Sequence, residues 1–180
     1  MSTIENTIKR RYEKNAPSIP NGKKVYIPLV GTVENYLERS PLNFYSWSHI
    51  DFGMFVFLLF SLIISIPEAL SGASLIDWWF IIVLVFVSGI IWEIMEIILL
   101  HRWGWRDLNK RKMFFHALFD LFFIIFGGLI MWFSKWVIID LFMLRGSLFY
   151  IMGLGLCLIV LITYLIGFSV TDKTIKIMKK

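Results

Sequence analysis

Residues 76–100 read IDWWFIIVLVFVSGIIWEIMEIILL. A run this long and this apolar is read as a membrane-spanning helix, because about 20 apolar residues cover a hydrocarbon core of ~30 Å. The exceptions matter as much as the rule. Glu93 and Glu96 sit near the end of the run, and a charged group in hydrocarbon costs roughly 2.5–3.5 kcal/mol. Acids in such a place are retained where they pair with each other, bind an ion or line a polar cavity.

Working outward, three more apolar runs appear. Spans are expected at about 48–66, 76–100, 113–133 and 147–168, with Pro67-Glu68 closing the first. The segment from Ser134 to Leu144 is apolar but contains Lys135 and Asp140. It is too short to cross alone, and it reads as an interfacial or re-entrant piece or as an extension of the third helix. The chain is 58% hydrophobic, above the roughly 45–50% of soluble domains. The fold class is therefore all-α: a polytopic integral membrane protein with about four transmembrane helices in a small bundle. Residues 1–46 form a juxtamembrane arm, 47–168 the transmembrane domain and 169–180 a basic tail.

Charge gives an orientation. Of the 18 Lys and Arg, only Lys135 and Arg145 fall on one side of this topology. The others lie in the arm, the 101–112 loop and the tail, which the positive-inside rule places in the cytoplasm together with both termini. Trp47, Trp103 and Trp105 would mark that interface, and Trp78, Trp79 and Trp136 the other. The net charge of +5 is explained by topology, and no nucleic-acid reader motif is present. Within the arm, Ile4–Lys14 and Val33–Arg39 suit short helices. Lys9, Arg10, Arg11 and Lys14 suit anionic lipid headgroups. Cys157, the single cysteine, reads as a small buried residue, not a catalytic thiol.

On this topology six ionisable residues share a layer near the cytoplasmic face: His49, Asp51, Glu93, Glu96, His116 and Asp120. Glu93 and Asp120 each lie about 10 Å deep by helix rise. Glu93 and Glu96 are spaced i, i+3, and His116 and Asp120 i, i+4, so each pair shares one helix face. Histidine with carboxylates suits zinc, iron or manganese, and carboxylates alone suit magnesium or calcium. His49, Glu93, Glu96, His116 and Asp120 are thus the candidate ligands of a divalent metal ion. A proton relay or a cationic lipid headgroup would use the same groups. The competing reading is packing: such residues can simply hydrogen-bond one another. For His49 and Asp51, close to the interface, plain solvation is the simpler expectation. Gly53, Gly127, Gly128, Gly153 and Gly155 are expected to let helices approach closely.

At these residues the sequence resembles the small VanZ-like membrane proteins, and within them the YjdF-like branch. The likeness rests on His49-Ile-Asp-Phe-Gly53, on Trp92-Glu93-Ile-Met-Glu96, and on Asp120 seven positions before Gly127-Gly128. It covers about Asn43 to Ile130. His116 stands where the YjdF-like proteins carry an Asp, and Ile124 where many VanZ-like proteins carry an Asn. The resemblance implies a link to glycopeptide (teicoplanin) resistance through the family's namesake. It implies site residues more than a reaction.

Three functions remain open at this stage. One is a VanZ/YjdF-like protein binding a metal ion or a polar lipid or glycolipid headgroup. Another is an intramembrane metal-dependent enzyme such as a lipid-modifying hydrolase. A CAAX-type protease would need a Glu-Glu pair followed by Arg and a separate Phe-x-x-x-His, which the chain lacks. The third is a non-catalytic membrane scaffold. Membrane lipids are the expected partners, and the chain leaves room for a homo-oligomer.

Overall fold

The computed structural model describes residues 26–27, 31–32, 46–72, 77–103 and 110–178. Ahead of the bundle, Tyr26–Ile27 (β1) and Gly31–Thr32 (β2) form a short antiparallel pair. Four long helices follow: α1 (Ser46–Ser71), α2 (Trp79–Trp103), α3 (Lys110–Lys135) and α4 (Gly146–Met178). All four are long and apolar enough to span a membrane, so the protein is an all-α, multi-pass membrane protein. The short helices expected within 4–14 and 33–39 lie outside the described residues, as do the side chains of His101, Trp103 and Trp105.

Helix α1 is the hub. It packs most extensively on α3 and also touches α2 and α4. Within its apolar span 39% of residues are buried inside the bundle, against 17% for α4. The outer faces carry large exposed apolar side chains such as Phe55, Ile63, Ile91, Phe122 and Ile159, as helices in lipid do. Phe57, Met54, Ile81, Val85, Ile124, Met131 and Phe149 fill the interior.

Three helices run past their expected spans: α1 to Ser71, α2 to Trp103 and α4 to Met178. Pro67 does not stop α1, which continues to Ser71. Pro67 removes a single backbone donor in an exposed turn, and membrane helices tolerate that loss. The stop comes at Gly72, whose N–H donates to the Glu68 carbonyl at 2.9 Å and whose φ of 68° places it in the left-handed region glycine favours. Beyond Lys135, the 134–144 segment proves to be the extension of the third helix. It continues as a π-helical stretch, Trp136–Leu141. The wider winding brings residues five apart onto one face. Lys135 Nζ accordingly donates to Asp140 Oδ2 at 3.0 Å and lies 4.5 Å from the centre of the Trp78 ring.

Candidate metal centre

Three helices meet at one residue, Ile124, which is fully buried. A Cβ on Gly53 of α1 would run into the Ile124 carbonyl. A Cβ on Gly89 of α2 would lie 3.2 Å from Ile124 Cγ2 and 2.8 Å from Leu121 Cδ1. The contact is reciprocal across α1 and α3, since a Cβ on Gly127 would meet the Ile50 carbonyl. Glycine is what lets these backbones approach so closely.

The polar residues hang one turn from that junction. His49 is four residues before Gly53, Asp120 four before Ile124, and Glu93 four after Gly89. Residues four apart share a helix face. Successive spans run in opposite directions, so one turn back on α1 and α3 and one turn forward on α2 lead to the same end of the bundle. The glycine contacts therefore aim His49, Glu93 and Asp120 at one point.

All three are buried, at 5%, 5% and 4% exposure. His49 Nδ1 lies 3.7 Å from Glu93 Oε1, and His49 Nε2 lies 3.5 Å from Asp120 Oδ1. One ligand atom from each residue falls within 4.8 Å of the other two. The expectation that His49 is solvated is therefore corrected: packing around Gly53 carries it into the bundle. Asp51 is half-buried on another face of α1, beside the Cys157 thiol. Glu96 and His116 are half-buried and stand outside the group of three. Glu96 is nearly a full turn beyond Glu93, and His116 a full turn before Asp120, so each lies closer to the end of the bundle.

No family model, curated protein or solved structure matches this chain. The site is therefore read from its own geometry.

Two findings escaped the sequence. Gly89 also packs at the junction, against the Leu121 and Ile124 side chains, and its signal was present: it stands four residues from Glu93 as Gly53 does from His49. Gly155, expected to mediate packing, has nothing near its Cβ position. It is two residues from Gly153, hence on the opposite side of α4. Gly153 does pack closely, against Met131 and Leu58, and Gly128 lies against Val85.

A cleft opens beside the cluster. It has a volume of about 260 Å³. Ser48, Phe52 and Phe55 form its floor, at i, i+4 and i+7 on α1. Trp92 of α2 and Leu161 and Tyr164 of α4 form the walls, and His49 and Asp51 border the floor. Phe52 and Trp92 are in ring contact, with centroids 4.9 Å apart.

Proposed function

We propose that this is a VanZ/YjdF-like membrane protein whose His49, Glu93 and Asp120 bind a divalent metal ion near the cytoplasmic face, with both termini in the cytoplasm. One observation carries the reading: both ring nitrogens of His49 face carboxylate oxygens. A neutral imidazole has one N–H and one lone pair, so one of its nitrogens would oppose a carboxylate lone pair with lone pair. A cation relieves this, either a second proton on the ring or a metal ion. The distances favour the metal. At 3.5 and 3.7 Å both contacts exceed the 2.7–3.2 Å of N–H···O bonds. Two ligands ~2.1 Å from one tetrahedral ion stand about 3.4 Å apart, close to the 3.5 Å between His49 Nε2 and Asp120 Oδ1, and one atom of Glu93 lies within 4.8 Å of both residues' ligand atoms.

Charge balance agrees. Two carboxylates and a neutral histidine neutralise a divalent ion. One nitrogen and two oxygens suit zinc, iron or manganese. Three protein ligands leave coordination positions open, as catalytic sites do. The cleft bordered by His49 favours a second reading on the same ligands, a metal-dependent enzyme acting on a lipid.

Elemental analysis of protein purified without added chelator tests the proposal. Wild type should carry close to one equivalent of metal, and Glu93→Gln and Asp120→Asn should carry almost none while remaining folded. Equal metal in all three samples would make the cluster structural. Orientation is tested by reporter fusions after residues 72, 107, 140 and 180, expected to alternate outside, inside, outside, inside. An external reporter at 107 refutes the cytoplasmic placement.

A further inference from the structure

The cleft beside the cluster has a chemistry of its own. Among the described residues its lining contains an acid, Asp51, a histidine and a serine, with no Lys or Arg. Asp51 Oδ1 is enclosed and accepts no hydrogen bond among the described residues. The side-chain donor beside this carboxyl is the Cys157 thiol, and a thiol is a weak donor. The carboxylate is thus short of counter-charge, in a segment where charge is costly. Phe52, Phe55, Trp92 and Tyr164 line the same cleft. Aromatic rings attract cations through their quadrupole, Trp most strongly, and recognition of quaternary ammonium groups uses such surroundings.

Position and size narrow the occupant. The cleft lies over α1 between residues of α2 and α4. Its lining includes Trp92 and Phe55, which are 41% and 51% exposed on helices that span a bilayer, so it opens sideways toward lipid. Its floor runs from Ser48 at the end of α1 to Phe55, two turns deeper, giving a polar mouth and an apolar interior. At about 260 Å³ it falls below the roughly 300–1,000 Å³ of pockets for drug-sized molecules. That space suits a headgroup with the first part of its chains, not a whole lipid.

We propose that this cleft binds the ammonium headgroup of a zwitterionic membrane phospholipid, with Asp51 as the counter-ion and Trp92 and Phe52 as the aromatic wall. The site adjoins the metal centre through His49 but does not depend on a metal being present.

The test uses the full chain. Protein is exchanged into nanodiscs of mixed phosphatidylethanolamine, phosphatidylcholine and phosphatidylglycerol, and retained lipid is identified by native mass spectrometry. Wild type should retain amine-bearing lipid in preference to phosphatidylglycerol. Asp51→Asn should lower that preference by about tenfold, the scale of one lost charge-assisted contact. Trp92→Leu, which leaves every charge in place, should lower it severalfold and covers the case in which Asp51→Asn fails to fold. No preference in wild type, or an undiminished preference in folded variants, overturns the proposal. Soluble phosphoethanolamine competing as well as the lipid would identify the ligand as a free amine and overturn the lipid assignment. Metal is measured in the same wild-type samples. Metal without lipid preference defeats the cleft proposal alone, and lipid preference without metal defeats the metal reading alone.

Discussion

The two ends of this bundle handle intramembrane charge differently. At one end Lys135 and Asp140 close into a 3.0 Å contact. The π-helical winding of their own segment brings them together, and the Trp78 ring lies against the ammonium. Asp140 is exposed there. The pair is local, balanced and complete. At the other end His49, Glu93 and Asp120 come from three helices, are all buried, and contain two acids for one base. His49 stands 3.5 Å from the Asp120 carboxyl and 3.7 Å from that of Glu93. The difference separates a charge pair that settles a helix end from a set of groups arranged around something else. A pair closed within one helical segment marks the first; buried groups brought together from three helices by close backbone contacts mark the second.

The largest effect should come from breaking the backbone contacts that hold the triad apart. Gly53→Ala and Gly127→Ala each put a methyl group into a facing carbonyl and should destabilise the fold by about 3 kcal/mol, the upper range for overpacking. Both should lose metal with every ligand intact. Gly155→Ala, with nothing near its Cβ position, should stay within about 0.5 kcal/mol. Denaturation of purified protein in mild detergent measures all three, and equal stability of Gly53→Ala and Gly155→Ala would undo the account of the junction at Ile124.

Next in size is removal of the metal. Chelation should lower stability by about 2.7 kcal/mol if the ion is present at 100 times its Kd. The loss should be restored by adding the ion back and be absent in Asp120→Asn. A chelator effect that survives in Asp120→Asn would place the ion elsewhere.

The balanced end should respond much less. Lys135→Met keeps the apolar stem and removes the ion pair, which should cost about 0.2–1 kcal/mol and leave metal content unchanged. A loss of several kcal/mol would show that the two ends do not differ as described. The smallest effect is expected from deleting residues 1–22, which contain none of His49, Glu93 and Asp120. Insertion, metal content and stability should match the full chain, and loss of metal with insertion preserved would give the arm a role in the site.

Much of this was legible beforehand, for a physical reason. Hydrocarbon imposes length and apolarity on every span, so four helices could be read from the runs around residues 76–100. The same cost made Glu93 and Asp120 conspicuous. Helix boundaries were less legible. A proline such as Pro67 removes one hydrogen bond but does not forbid a turn, whereas the positive φ of Gly72 does end one. His49 was placed in the right layer but expected to be wetted, because depth along a helix says nothing about which face is covered. Gly155 was misjudged in the same way: small size permits close packing only where a neighbour is present.

By itself, then, the sequence determined the solvent, the number of helices, the layer in which the polar residues lie and the faces they share along each helix. Hydrophobic length and helical period are local properties and need no partner. The tertiary structure alone decided that His49, Glu93 and Asp120 converge while Glu96 and His116 stand apart, that Asp51 turns to Cys157 and the cleft, and that Gly89 belongs with Gly53 at the junction. Convergence depends on how helices are rotated and crossed against one another. Those angles are set by contacts between backbones distant in sequence, through glycines whose meaning appears only when the carbonyl or side chain they admit is in place.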